Sequence, residues 1–201
     1  MKSTLLLALL LGFAASASAQ HDTRTTPRTA DGRFGMEFRS GAGFATAKLG
    51  DADLRTGFGF EATLTYRFLP HTSAYAGWGW HSFSAAESFA GADTEFEETG
   101  YTVGLQFAHP LGETGLQYLV RGGLLLNHIE VENTDGDIFA DTKHGAGWQI
   151  EGGLSIPLSR GMQLLPSVRY RALSRDLRIG DVTTALDLRY LSVGAGLAWT
   201  F

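Results

Sequence analysis

Between residues 57 and 68 the chain alternates without interruption. Phe58, Phe60, Ala62, Leu64, Tyr66 and Phe68 take the even positions, and Gly57, Gly59, Glu61, Thr63, Thr65 and Arg67 the odd ones. A helix would mix the two sets on every face, whereas a strand sends them to opposite sides. The same division recurs with large apolar residues on one parity and glycine or polar residues on the other. It predicts strands over 34–44, 57–68, 74–83, 100–107, 116–128, 147–156, 162–171 and 191–201. No segment reads as a helix. Residues 69–72, 109–113 and 157–161 are short connections containing Pro or Gly, while 48–56, 85–97, 130–143 and 175–183 are longer and polar. Short turns at one end and long loops at the other describe four up-and-down hairpins closed into a barrel. Two irregularities are expected. Pro166 removes a ladder donor from the seventh strand, and the apolar parity changes between Leu188 and Leu191, which predicts a bulge.

Alternation alone does not say which face is outside; volume does. An eight-stranded barrel has an interior barely wide enough for its own side chains. One face carries Phe, Tyr, Trp and Leu. The other carries Gly35, Gly41, Gly43, Gly57, Gly59, Gly77, Gly79, Gly100, Gly104, Gly147, Gly153, Gly194 and Gly196 among Glu, Arg, Gln and Thr. The chain holds 26 glycines in 201 residues, nearly twice the ordinary level of about 7%. The small face fits inside and the aromatic face does not, so the bulky residues meet lipid. A closed sheet satisfies its backbone groups without water, which the bilayer interior requires. The fold class expected is all-β, an eight-stranded antiparallel up-and-down transmembrane β-barrel.

The first residues fit an export signal. Lys2, an apolar run over 5–15 and the small residues Ala17-Ser18-Ala19 read as a signal peptide over 1–19. Its removal would take the formal charge from −5 to −6. Residues 20–32 are polar and aperiodic and read as a periplasmic tail, leaving 33–201 as the barrel. There is no cysteine, which rules out a disulfide framework, a thiolate metal site and a lipoprotein anchor. The acidic balance argues against nucleic acid as a partner.

At this point the chain resembles the small eight-stranded outer-membrane β-barrel proteins, the OmpA transmembrane-domain and OmpX-like group. The resemblance runs from about Arg33 to Phe201, and its most specific element is the ending Leu197-Ala198-Trp199-Thr200-Phe201. It implies location in the cell outer membrane of a Gram-negative-type envelope, contact with outer-membrane lipid and lipopolysaccharide, and a monomer. It also implies that Leu197, Trp199 and Phe201 form a C-terminal signal read by the barrel-assembly machinery. No second domain is expected after Phe201, and with it not the peptidoglycan-binding module of full-length OmpA-like proteins.

Candidate chemistry begins with charges on the polar face. Glu37, Arg39, Glu61, Arg121, Glu151, Arg169 and Arg171 all point into the lumen, most of them near mid-barrel. Charges in a narrow interior must pair or be hydrated. An interlocked salt-bridge plug is expected over a gated pathway or a catalytic carboxylate pair. The lipid A-modifying barrel enzymes use His with Ser and an acid. Here the nearest match is His81-Ser82-Phe83-Ser84, yet in a strand His81 and Ser82 face opposite sides, and no serine accompanies His128 and Glu130. No catalytic residue is assigned. Residues 133–137 with Asp141 resemble a calcium loop but lack its acidic first and twelfth positions, so a simple turn is expected and neither metal nor cofactor. The long connections, with Glu98 at the edge of one, hold fourteen acidic residues against five basic ones including Arg175, making that end an acidic pole. These observations lead to a non-catalytic barrel with a structural, envelope or surface-interaction role. The runner-up is a narrow pore for small solutes, OmpW-like or gated, and a lipid A-modifying enzyme comes third.

Overall fold

The computed structural model describes residues 32–201 apart from Thr134 and Arg160; the expected signal peptide, and the expected tail up to Asp31, lie outside the described residues. Nine strands follow one another: β1 (Phe34–Ala45), β2 (Gly57–Leu69), β3 (Thr72–Ser88), β4 (Gly91–Pro110), β5 (Gln117–Glu132), β6 (Ile138–Asp141), β7 (Gly145–Ser159), β8 (Met162–Ile179) and β9 (Val182–Thr200). No helix occurs among the described residues. Every paired neighbour is antiparallel, β1 pairs with β9, and β4 pairs with β5, so eight strands close on themselves. The ninth, β6, is a four-residue flap lying along β5.

The eight expected strands are all present, but several are longer than the alternation suggested. Residues 85–97 and 175–183, read as loops, are mostly continuations of β3, β4, β8 and β9. Ile179 pairs with Val182, so the last hairpin closes over Gly180-Asp181. Gly180 has φ +60°, the left-handed conformation that such two-residue turns demand. A membrane-spanning strand needs about 9–11 residues, so β4, β8 and β9, at 18 to 20 residues, continue well past the bilayer.

Within the lipid band the aromatic face is outside. Leu64, Leu105 and Leu124 are exposed on the barrel surface, while Thr63, Glu61, Thr102 and Arg121 are buried. Above the band the phase inverts. Phe83, Ala85, Phe96, Leu125, Ile129, Val131, Leu173, Leu177, Leu186, Leu188 and Tyr190 point inward and form one apolar cluster. The Leu188–Leu191 parity change is this inversion and not a bulge. The β8–β9 register runs without a shift from Met162↔Trp199 to Ile179↔Val182. Pro166 also leaves the register intact on the β9 side, with Pro166↔Ala195 and Ser167↔Gly194 in sequence. Towards β7 it interrupts the ladder as expected: the pairs pass from Gly153↔Ser167 to Ile156↔Leu164 without Pro166 or Leu165. The polar lumen expected throughout therefore holds for the membrane-spanning part, and the outer mouth is an apolar core. Leu49 and Ala52, from the connection between β1 and β2, are fully buried in that core, and each donates its N–H to the other's carbonyl at 3.0–3.1 Å.

Candidate functional site

All seven expected lumen charges meet inside the barrel. From β1, Arg39 bonds Glu37 through Nε and Nη2 at 3.2 and 3.1 Å, and its Nη1 reaches Glu151 of β7. Glu151 also accepts from Arg169 Nε at 2.9 Å. Arg169 in turn forks onto both oxygens of Glu61 at 2.9 and 3.2 Å, and Arg171 donates to the same carboxylate. Arg121 of β5 donates to Glu37 and, through Nε, to Gln106 at 2.6 Å. Its guanidinium lies 5.0 Å above the Tyr75 ring, within cation–π range.

Several members escaped the sequence reading. Glu98, counted among the loop acids, is 2% exposed in the lumen and accepts from Arg171 Nη1 at 3.3 Å and from Tyr190 Oη at 2.5 Å. Asn127 donates to it as well. Gln149 joins the network by accepting from Arg171 Nε at 2.8 Å and donating to Tyr75 Oη and Thr102 at 2.9 and 3.0 Å. Arg175, also counted as a loop residue, turns inward and donates to the carbonyls of Asn127 and Ala146 at 2.9 Å. The signal that could have found these residues is parity: Glu98, Gln149 and Arg175 share the inward parity of their strands.

Four carboxylates (Glu37, Glu61, Glu98, Glu151) thus face four guanidinium groups (Arg39, Arg121, Arg169, Arg171), with Arg175 bonded to carbonyls above them. Charges of equal number in bonding contact need no bulk water to balance them. The network ties together all eight strands of the ring, β3 through Tyr75. Glycine makes the space. A Cβ on Gly41 would fall 2.8 Å from the Cα of Gly194 opposite, and one on Gly57 would meet the Phe83 ring at 2.6 Å.

His81 enters the lumen as its parity requires, 6% exposed, with its ring 4.7 Å from Phe83 and 4.8 Å from Tyr190. Ser82, its sequence neighbour, is on the opposite face. A cavity of about 40 Å³ beside it is lined by Arg39, Glu61, Arg169, Arg171 and Ser192 among others. With these charged groups in its wall it has room for a water or two, a partner for His81 Nε2, which has none among the described residues. Asn133 stands at a turn, where its Oδ1 accepts from the backbone N–H groups of Asp135 and Asp137 at 3.0 and 2.9 Å. Above the band, burial pushes the Glu97 carboxyl up. The indole of Trp80, donating at 2.8 Å, opposes this, and Glu130 and Glu95 reinforce it.

The Leu197, Trp199 and Phe201 side chains face outward at the end of β9, and Phe201 pairs with Phe34 through N–H to carbonyl bonds at 2.9 and 3.3 Å.

The model of the outer membrane protein beta-barrel domain matches residues 5–201. The chain belongs to that family. It is a protein of the outer membrane, as are the known structures it resembles. No curated protein matches it in sequence. Neisserial surface protein A is similar in fold, at TM-score 0.59 and 15% identity, covering 84% of this chain and 96% of that one. The outer membrane protein AlkL, solved in lipid bilayers, gives 0.58 and 17%, covering 92% and 97%. Escherichia coli outer membrane protein W gives 0.53 and 16%, covering 85% and 98%. At such identities the likeness is one of fold.

Proposed function

We propose that this family member is a closed, non-catalytic barrel whose role is structural or surface-interactive, with its acidic outer end as the working face. The observation that carries this reading is the filling of the lumen in two layers. A charge-balanced network around Arg121, itself 1% exposed, lies beneath the apolar cluster sealed by Leu49 and Ala52. The cavity of about 40 Å³ between strands accommodates water and no larger solute. Ser192 lines the cavity beside His81, yet His81 Nε2 bonds no hydroxyl, and among the described residues no hydrogen bond joins a serine to His128 or Glu130, as a nucleophile and its base would need.

Planar-bilayer recording of the refolded chain tests the reading. No steady conductance is expected. Stable ohmic steps in the unmodified protein would favour the runner-up, a narrow pore for small solutes. A changed lipid A mass on expression would favour an enzyme.

The biogenesis part of the proposal assigns Leu197, Trp199 and Phe201 to recognition by the barrel-assembly machinery. The barrel is proposed to act as a monomer. Phe201 is 67% exposed and contributes little packing. Phe201→Ala should therefore refold in detergent nearly as the parent does, while insertion in cells falls sharply. Normal insertion in cells would reduce Phe201 to an interfacial anchor.

A further inference from the structure

Above the lipid band, the outward row of β5 continues as His128, Glu130 and Glu132. The flap β6 returns along this edge with Asp141 opposite Glu130, and β7 begins with Gly145 opposite Asn127. One residue further along that register, His144 stands across from His128. Directly opposed residues in an antiparallel pair have Cβ atoms about 4.5–5.5 Å apart. The Thr142 side chain accepts from the Ile129 N–H at 2.8 Å, and the Thr142 N–H donates to the Ile129 carbonyl at 2.9 Å, so the segment between flap and strand is fixed to β5.

The side chains converge. His128 Nδ1 and His144 Nδ1 are 3.3 Å apart, with ring centroids 4.3 Å apart at 64°. Asp141 Oδ1 lies 3.9 Å from the same His128 nitrogen, and Glu130 Oε1 lies 3.2 Å from Nε2 on the other side of the ring. One donor atom from each of His128, Glu130 and Asp141 falls within 4.8 Å of the others; His144 is outside that group and joins it through His128. Two nitrogens bound at about 2.0–2.1 Å to one tetrahedral ion are separated by roughly 3.3 Å, which is the observed separation of the imidazoles. His128 Nε2 is shielded from solvent and makes no hydrogen bond. Glu130 Oε1, close to the far nitrogen but off the line of a hydrogen bond, needs only a small turn to make the carboxylate–imidazole contact that orients and strengthens a metal-bound histidine.

We infer that His128 and His144, with Asp141 swung in from its half-exposed position, form a site for a divalent transition-metal ion such as Zn²⁺, with Glu130 positioning His128. Two imidazoles and a carboxylate select such an ion over Ca²⁺ or Mg²⁺, which take oxygen ligands. The ion would clip the β6 flap and the start of β7 to β5 on the cell-exterior side of the barrel, a role independent of whether the lumen conducts.

The test is calorimetric titration of the tag-free full chain, refolded in detergent, with Zn²⁺ and separately with Ca²⁺. Visible absorption of a Co²⁺ complex reports ligand geometry. One Zn²⁺ per chain is expected, with Co²⁺ bands of tetrahedral intensity that Zn²⁺ abolishes. His128→Ala and His144→Ala should each weaken binding at least tenfold, and Glu130→Gln roughly tenfold. The double variant His71→Ala/His109→Ala removes the other close histidine pair, at the opposite end, where His71 Nδ1 donates to the Ala108 carbonyl at 3.1 Å. It should bind as the parent does. Heat-modifiable migration on gels confirms that every variant is folded. Absence of saturable Zn²⁺ binding would show that the two rings share only an N–H···N bond, and would overturn the inference. So would binding lost in the His71/His109 variant but kept in the His128 and His144 variants, or Ca²⁺ binding equal to Zn²⁺ and indifferent to the histidines.

Discussion

Arg121 shows what a single residue contributes to a lumen of this kind. Its backbone is paired with Glu151 across β5 and β7, yet its guanidinium bonds Glu37 on β1 and Gln106 on β4. The sequence placed Arg121 and Glu151 on the same inward face and predicted the network. It did not predict this partner, because side-chain reach across a barrel interior is set by the curvature of the ring and not by ladder register. A different limit hid Glu98 and Arg175, which stand in or beside stretches whose polarity reads as loop until the strands are seen to extend there. A buried charge left without its partner costs about 3–5 kcal/mol. Arg121→Met and Glu37→Gln should each destabilise the refolded barrel by an amount of that order, measured by urea unfolding in detergent. The double variant should be milder than the sum, with a coupling of about 0.5–3 kcal/mol. The pair Arg121 and Glu151, whose side chains meet only through intermediates such as Glu37 and Arg39, should couple less strongly. Additive losses for Arg121 and Glu37 would mean that the two charges are separately hydrated.

At the scale of the strand, the informative feature is the inversion of hydrophobic phase. On β9, Leu191, Val193, Leu197 and Trp199 face lipid, while Leu186, Leu188 and Tyr190, on the other parity, face the core. The strand is unbroken across the change; its surroundings are what differ. In lipid the outer face must be apolar and the narrow interior holds the charges. Past the lipid, water solvates the outer face and the interior becomes an ordinary hydrophobic core. The inversion was legible as a parity change, but one sequence does not distinguish it from a bulge without knowing where the membrane ends. The orientation has a direct test. Leu64→Arg or Leu105→Arg should cost roughly 2–4 kcal/mol near the bilayer midplane. Thr63→Ala loses one hydrogen bond to Glu61 of 3.2 Å, worth about 0.5–1.5 kcal/mol. Equal losses on the two faces, measured in lipid vesicles, would reverse the inside–outside assignment.

Across the whole molecule the two fillings of the lumen act in series, and a path exists only if both are open. The lower layer is held by charge pairing and the upper by apolar packing under Leu49 and Ala52, so different substitutions breach them. Arg121→Ala with Glu37→Ala removes an equal and opposite pair from the lower layer without leaving either charge alone. Replacing residues 49–52 by a glycine–serine stretch of the same length removes the cover of the upper layer. Neither change by itself should give steady conductance in a planar bilayer, because the other layer still blocks the path. Combined, they should open one, and its selectivity follows from the charges at the mouth. Acidic side chains outnumber basic ones on the connections and strand extensions at the outer end even with Glu98 and Arg175 assigned to the lumen. A mouth lined by one sign of charge concentrates the opposite ion, so the reversal potential in a salt gradient should report cation preference. Conductance from the Arg121/Glu37 variant alone would show that the apolar layer leaks. Conductance from the 49–52 replacement alone would show that the charge network is wet enough to pass ions. If the combined variant stays closed although folded, the remaining pairs among Glu61, Glu151, Arg169 and Arg171 are sufficient to hold the barrel shut.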